Sequence, residues 1–597
     1  MRQKRSSGTR KGVKIFLFIF IISVLGAAAY GVYYHYFMPN SEMVAVFDTG
    51  TLNLVIEGDI IISKTAPQIR DNEILIPFDV IKEYIDPYIH WDESLKKVTI
   101  TTENRLIRMK TNELQAIVNN EPVELNIPVI EENGEVLVPI EFLSDFYNIE
   151  VKYVKENNVI IIDYKNRMVQ TAEPITADAV MRKGPSKKYP IVYKFRLGNN
   201  KEEDNILRVF EEYDNWYKVR TSRGVIGYIE KKHVVVRWIT INEIPLKDEK
   251  KAEQWKPEKG KINLVWEMMY GKRPDLNSIG KIEGLDVLSP TWFQLKDADG
   301  NLINRADATY VKWAHDNGYK VWALFSNDFQ DIKMTSKFLH NADARDNAIR
   351  QILIYASLYN LDGINIDFEN VYKEDKDALT QFVRELTPLL REQGLVVSID
   401  VTIPDGSDTW SKCYDRKALG EIVDYVMLMT YDQHWATSPK AGSVAQITWV
   451  EQNLVKVLEM VPREKLLLGL PFYTRLWQEE KTDNGTIVKQ AAVLSMEGSK
   501  KVVNDNTAEV VWDEESGQFY TEYEKDGKTY KLWIEDENSI NLKSSLVHKY
   551  KLAGTAAWSR TYENPAVWDV LNANLKEIET YAQWKEINSQ KIFVYNK

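Results

Sequence analysis

The sequence predicts a multidomain chain that ends in a (β/α)8 barrel, and three observations carry that prediction. The chain has 597 residues, more than one hydrophobic core organises, because single cores stop growing near roughly 250–300 residues. From Lys261 onward, short apolar runs alternate with helical patterns, which is the signature of a parallel sheet with helical crossovers. Eight such units fit within residues 259–578, the size of a closed barrel with one insertion. Ahead of it the sequence predicts a transmembrane helix, a repeated α+β module and a small all-β barrel.

Bulk composition narrows the function classes. Hydrophobic residues make up 44% and charged residues 27%, as in ordinary globular chains. A net charge of −11 argues against general nucleic-acid binding. The single cysteine, Cys413, excludes an internal disulfide and any multi-cysteine metal site. The 17 Trp and 31 Tyr supply planar rings that stack on sugar faces, although most belong in cores.

The N-terminus comes first in chain order. Residues 1–14 carry six Lys or Arg and no acid, and Ile15 to Phe37 is almost wholly apolar. That run is long enough to cross a bilayer at roughly 20 residues per crossing. The basic flank keeps 1–14 cytoplasmic and places everything after Pro39 outside, a single-pass cell-membrane topology. Ala27-Ala28-Ala29 offers the alternative of a cleaved signal and a secreted protein, but the aromatic residues Tyr30 to Phe37 read as an interfacial belt.

A repeat follows. Ile74-Leu75-Ile76-Pro77-Phe78 returns as Val136-Leu137-Val138-Pro139-Ile140, and Lys97–Thr101 returns as Asn158–Ile162, with an offset of about 62. Two strand–helix–hairpin units therefore make one α+β module over 46–165. It resembles the copper amine oxidase N-terminal-like domain of bacterial surface proteins, without implying copper, since His90 is its only histidine. Residues 170–238 read as short strands. The Arg182-Lys183-Gly184-Pro185-Ser186 turn, Trp216-Tyr217-Lys218-Val219 and Gly227-Tyr228-Ile229 resemble a bacterial Src-homology-3-like domain, in which Trp216 either meets a wall peptide or fills the core. Residues 239–258, rich in Lys and Glu, form a linker.

The barrel strands are expected at Ile262–Met268, Leu285–Leu288, Lys320–Phe325, Gly363–Phe368, Val396–Thr402, Tyr425–Thr430, Lys465–Leu470 and Thr555–Trp558. Helices are expected at Ala344–Tyr359, Lys376–Glu392 and Trp449–Met460, with hairpins in an insertion at about 480–540. The fourth strand holds the chemistry. In Asp362-Gly363-Ile364-Asn365-Ile366-Asp367-Phe368-Glu369, period-two alternation puts Asn365, Asp367 and Glu369 on one face and the apolar residues on the other. Acids held in an interior have shifted pKa values, which general acid catalysis needs. Barrel chemistry sits at the carboxyl ends of the strands. Glu369, Tyr431 with Asp432, Tyr473 with Arg475, and Trp558 all lie at such ends and converge on one mouth.

Those motifs resemble glycoside hydrolase family 18. The family signature Asp-x-x-Asp-x-Asp-x-Glu falls on Asp362, Asn365, Asp367 and Glu369, and Met429-Thr430-Tyr431-Asp432 and Trp558 match as well. The resemblance implies a peptidoglycan-directed, substrate-assisted retaining glycosidase acting at N-acetylglucosamine, with a chitinase or an endo-acting N-glycan hydrolase as the rival enzyme and a non-catalytic glycan-binding barrel as the rival class. It implies Glu369 as acid and base, Asp367 orienting the acetamido group, Tyr431 bonding its oxygen and Trp558 flooring the sugar pocket. Asp362, Asn365, Asp432, Tyr473 and Arg475 complete the expected substrate contacts. Where the pattern has Asp, position 365 is Asn, and its NH2 is expected to donate to Asp367 and fix it as the anion. His434, Glu535, Trp266, Trp292, Trp322, Trp435 and Trp477 are further cleft candidates, each equally readable as structural. No histidine cluster or glycine-rich phosphate loop stands out, so no metal, nucleotide or other cofactor is expected.

Overall fold

A computed structural model describes residues 8–597 apart from 49, 120, 166, 196–204, 241–254, 270–273, 277, 484, 592–594 and 596–597. The start of the expected basic segment and most of the expected linker lie outside the described residues. The chain divides into two compact units, one of residues 1–89, 109–116 and 123–249, the other of 90–108, 117–122 and 250–597. This division cuts across the expected 46–165 module.

In the first unit, a helix runs from Gly8 to Val32 and continues as a π-turn through Phe37. Its 22 residues Lys14–His35 have a mean hydropathy of 2.5, apolar and long enough to cross a membrane. The repeat is visible as symmetry. Glu73–Pro77 and Glu135–Pro139 pair with each other antiparallel, Val138 opposite Ile76, and each leads into a short helix. Asn53–Ile56 lies parallel to Val159–Tyr164 in a second four-stranded sheet. Seven further strands between Met168 and Thr240 form one sheet. Trp216 is 8% exposed there, so of its two expected readings the structure supports the core one.

The second unit is a closed barrel. Its parallel strands are β1 (Ile262–Glu267), β2 (Val287–Leu295), β3 (Lys320–Ser326), β4 (Gly363–Asp367), β5 (Val396–Thr402), β6 (Tyr425–Met429), β7 (Leu466–Pro471) and β8 (Gly554–Trp558). Each pairs with the next, β8 pairs with β1, and the ring is complete. Helices α1 (Ala342–Tyr359) and α2 (Lys376–Glu392) flank β4 in sequence.

Two cores follow from strand alternation. Ile364, Ile366 and Phe368 of β4 and its end are fully buried against the helix layer, where Phe368 stacks on Phe382 of α2 at 5.6 Å. The opposite face of β4 looks into the barrel. Its first interior position is Gly363, where a Cβ would come within 2.7 Å of the Trp322 ring, so only glycine fits. The interior floor is apolar, with Trp322 stacked on Tyr425 at 5.7 Å, and polar residues occupy the levels above it.

The insertion begins at Tyr473, directly after β7, rather than near 480. Tyr473–Thr482 is the central-to-edge partner of a five-stranded antiparallel sheet whose other strands are Gly485–Ser495, Val510–Asp513, Gln518–Lys525 and Lys528–Ile534. Tyr-Thr-Arg-Leu-Trp-Gln alternates like a strand, and this pattern extends the sheet back to the barrel rim.

Candidate active site

The carboxyl ends of the strands open on a cavity of about 310 Å³. Asp367 and Glu369 from the end of β4 line it, with Asp400 of β5, Tyr431 and Asp432 after β6, Tyr473 after β7 and Trp558 of β8.

The acids are positioned from their main chain. Glu369 N–H donates to Asn327 Oδ1 at 2.9 Å, and Asn327 Nδ2 donates back to the Glu369 carbonyl at 2.8 Å. Tyr414 OH donates to the Phe368 carbonyl at 2.8 Å. These three bonds fix the strand end, so the Glu369 side chain projects from a rigid base.

Below the cavity, Asn365 is fully buried and its amide is fully used. Its oxygen accepts from Trp266 Nε1 at 2.7 Å and from Ser289 Oγ at 3.2 Å, and its NH2 donates to Asp400 Oδ1 at 2.8 Å. Among the described residues Asp367 Oδ1 is buried without a hydrogen-bond partner. The expected Asn365–Asp367 bond is therefore corrected: the amide holds Asp400 instead, on the neighbouring strand β5.

Burial drives the electrostatics. It pushes the Asp367 carboxyl up to about 7. Glu369 is raised well above the ordinary range by burial first, then by the nearby charges of Asp367 and Asp432. Asp400 is raised by burial and by Asp367, against the opposing bond from Asn365. Three neighbouring carboxyls thus hold their protons more tightly than usual, an arrangement in which one acid donates a proton while another carries the charge.

A profile of glycosyl hydrolases family 18 matches residues 213–563, more than half of the chain. The chain belongs to glycosyl hydrolase family 18. It is therefore a glycosidase. Profiles of the copper amine oxidase N-terminal domain and the bacterial SH3 domain match residues 55–162 and 176–235. Among relatives, the uncharacterized glycosylase YvbX of Bacillus subtilis is 27% identical over 292 residues, 47% of this chain and 82% of that protein. The cortical fragment-lytic enzyme of Bacillus subtilis is 28% identical over 239 residues, 39% of this chain. The chain spans about half of that enzyme's length, 54%. Human di-N-acetylchitobiase is 24% identical over 331 residues, 49% of this chain and 82% of that protein.

Within this family 18 barrel, the residues singled out from sequence separate into groups. Asp367, Glu369, Tyr431, Asp432, Tyr473 and Trp558 line the cavity, and Asn365 supports it from below. Tyr473 and Arg475, two apart on one strand, both reach Asp432: Arg475 donates to it at 2.6 Å and Tyr473 OH bonds the same oxygen. Arg475 therefore acts through Asp432. Asp362 does not belong. It precedes β4 at the far end, roughly 15 Å along the strand from Asp367. There it binds His315, Lys320 and the Val321 N–H, so its expected role as a substrate contact is withdrawn.

Several aromatic candidates are structural. Trp292, Trp322 and Trp477 are fully buried, and Trp477 Nε1 ties down the Gly442 carbonyl at 2.8 Å. Trp266 lines the cavity and anchors Asn365. His434 binds the Ser443 carbonyl through Nδ1 at 2.9 Å and braces its own loop, and Trp435 is 52% exposed outside the cavity lining. Glu535 is fully buried and held by Lys543, Gln518 and Ser539, so it is a packing residue.

Sequence reasoning missed Asp400, Asn327 and Trp410. Ser398-Ile399-Asp400-Val401-Thr402 shows the same period-two polar row that marked β4, so Asp400 was findable. Trp410 lies 42% exposed on the loop after β5 and lines the cavity. That loop is stapled by the Arg416 guanidinium, which donates to the carbonyls of Thr402, Ile403 and Ser411.

The raised acids make folding pH-dependent. A carboxyl raised in the folded state binds its proton more tightly there, so its stabilisation is full at low pH and lost as pH rises. For Asp367 that loss runs from about pH 4 to about 7. Asp367→Asn is expected to flatten this part of the barrel's unfolding midpoint plotted against pH. An unchanged slope would count against a proton-holding Asp367.

Proposed function

We propose that the protein is a membrane-anchored, wall-facing glycosidase that cleaves β-1,4 linkages at N-acetylglucosamine in peptidoglycan, with retention through substrate assistance. The observation that carries this reading is the pair Asp367 and Glu369 on one strand face, lining an open cavity with raised proton affinity. The apolar N-terminal helix supports a signal anchor, and a repeated module over 46–165 and a Src-homology-3-like module over 170–238 suit a position in the wall.

In the first step, Glu369 protonates the bridging oxygen and the leaving sugar departs. The acetamido carbonyl oxygen of the substrate bonds to the anomeric carbon and forms an oxazolinium ion. Asp367 accepts the acetamido N–H and balances the developing positive charge; its partnerless Oδ1 is the acceptor suited to that bond. Tyr431 donates to the acetamido oxygen, and Trp558 floors the ring. In the second step, Glu369 takes a proton from water, whose oxygen bonds to the anomeric carbon from the face the leaving sugar vacated as the bond from that carbon to the acetamido oxygen breaks.

Asn365 keeps one carboxylate out of the site while holding Asp400. Asn365→Asp is expected to add negative charge beneath Asp367 and Glu369 and to shift the whole pH profile of kcat/KM to higher pH. A profile that stays in place would sink this account of position 365.

The reading as a whole is tested with the full chain on peptidoglycan and on chitin oligosaccharides, with proton NMR of the first-formed anomer. Release of β-anomer from peptidoglycan is the expected result. Inverted product, or no cleavage of peptidoglycan, overturns it. A chitin-type substrate is the second reading, favoured by the likeness to human di-N-acetylchitobiase.

A further inference from the structure

Arg305 stands out in the cavity lining because its charge is not neutralised by a carboxylate. It is half-buried, and its Nη2 donates to the neutral Gln294 Oε1 at 3.0 Å. Among the described residues no carboxylate lies within 4.0 Å of its guanidinium. Other arginines of the barrel unit are used differently: Arg345 pairs with Glu385, Arg475 with Asp432, Arg560 with Glu267, and Arg416 with carbonyls.

The position is built rather than incidental. Leu302–Asn304 pairs antiparallel with β2, Gln294 opposite Ile303, and the Arg305 N–H donates to the Trp292 carbonyl at 3.0 Å. Gln294 and Arg305 therefore leave the same rigid hairpin and meet on the cavity wall. Gln294 lies on β2, two strand spacings or roughly 10 Å from β4, and Arg305 is held beside it on the same cavity wall.

The rest of the cavity is acidic. Asp367, Glu369, Asp400 and Asp432 all line it, a poor environment for an anionic glycan. Chitin and peptidoglycan share their β-1,4 backbone but differ in charge, because every second sugar of peptidoglycan carries a 3-O-lactyl group, whose carboxylate is free wherever the stem peptide has been removed. A guanidinium held by a neutral amide keeps its remaining donors for such a group, and its planar fork matches a carboxylate.

We propose that Arg305, oriented by Gln294, binds the lactyl carboxylate of an N-acetylmuramic acid residue next to the cleaved bond, a proposal that rests on the peptidoglycan reading above. The arginine is a specificity residue, separating acidic wall glycan from neutral chitin.

The test uses the full chain and glycan strands freed of stem peptides, either with intact lactyl carboxyls or with those carboxyls converted to neutral methylamides. For the unaltered protein, neutralising the carboxyls is expected to lower kcat/KM roughly ten- to a hundredfold, the range of a charge-assisted hydrogen bond. In Arg305→Gln that difference disappears, and Arg305→Lys restores part of it. Chitin oligosaccharide turnover reports that each variant is folded. If Arg305→Gln discriminates the two strands as the unaltered protein does, the proposal is overturned while the peptidoglycan reading stands. If the unaltered protein cleaves both strands equally, the proposal is also overturned. If it cleaves chitin oligosaccharides and neither strand, the substrate reading fails and takes the proposal with it.

Discussion

Glu369→Gln is expected to lower kcat by roughly 10²- to 10⁴-fold, the usual contribution of a positioned general acid, while glycan binding persists. The amide keeps the size and the half-buried setting of the acid, and the main-chain bonds to Asn327 do not involve the side chain. Fold and cavity therefore survive, and only the proton is lost. The unaltered enzyme should lose activity as pH rises through the raised Glu369 value, because the first step needs its acid form. It should also lose activity as pH falls below about 7, where Asp367 becomes protonated. The measurement is turnover and binding of a glycan by both proteins across pH. Equal turnover would remove Glu369 from the chemistry, and equal binding with no turnover in either would leave a sugar-holding barrel.

Lys543→Met is expected to destabilise the barrel unit by about 3–5 kcal/mol, the cost of leaving one member of a buried ion pair without its partner. Lys543 and Glu535 are 1% and 0% exposed in their side chains, and the ammonium reaches both carboxylate oxygens at 2.9 Å. Burial raises the Glu535 carboxyl and Lys543 opposes that rise, so removing the lysine strands an acid among Gln518, Ser539 and apolar neighbours. Replacing both residues by apolar ones of similar size should recover most of the loss. Denaturant midpoints for the barrel transition check both statements. A midpoint unmoved by Lys543→Met would show that the pair contributes nothing.

Much of this architecture was legible because strands have a strict period of two. Ile364, Asn365, Ile366, Asp367, Phe368 and Glu369 announce two faces, and the structure sorts them into helix layer and barrel interior as that alternation requires. The barrel strands were readable for the same reason, although β2 runs to Leu295, beyond the expected Leu288, because its upper half pairs with Leu302–Asn304. Less was legible wherever position depends on a turn or a partner strand. Asp362 shares the signature's spacing with Asp367 but lies at the other end of the same strand, a distinction that spacing alone does not make. The partner of Asn365 was misjudged because Asp367 is near in sequence, whereas Asp400 is near in space across the β4–β5 pairing. Trp410 and Arg305 belong to connections whose paths are set by carbonyl staples and a hairpin, and neither leaves a periodic trace.

The clasp that Asn327 makes on Glu369 has a mechanical consequence. One amide at the end of the third strand grips both the N–H and the carbonyl of that residue, so the acid can travel only by turning its own three side-chain torsions. On the proposed mechanism, delivery and retrieval of the proton are then swings of a short lever on a fixed pivot.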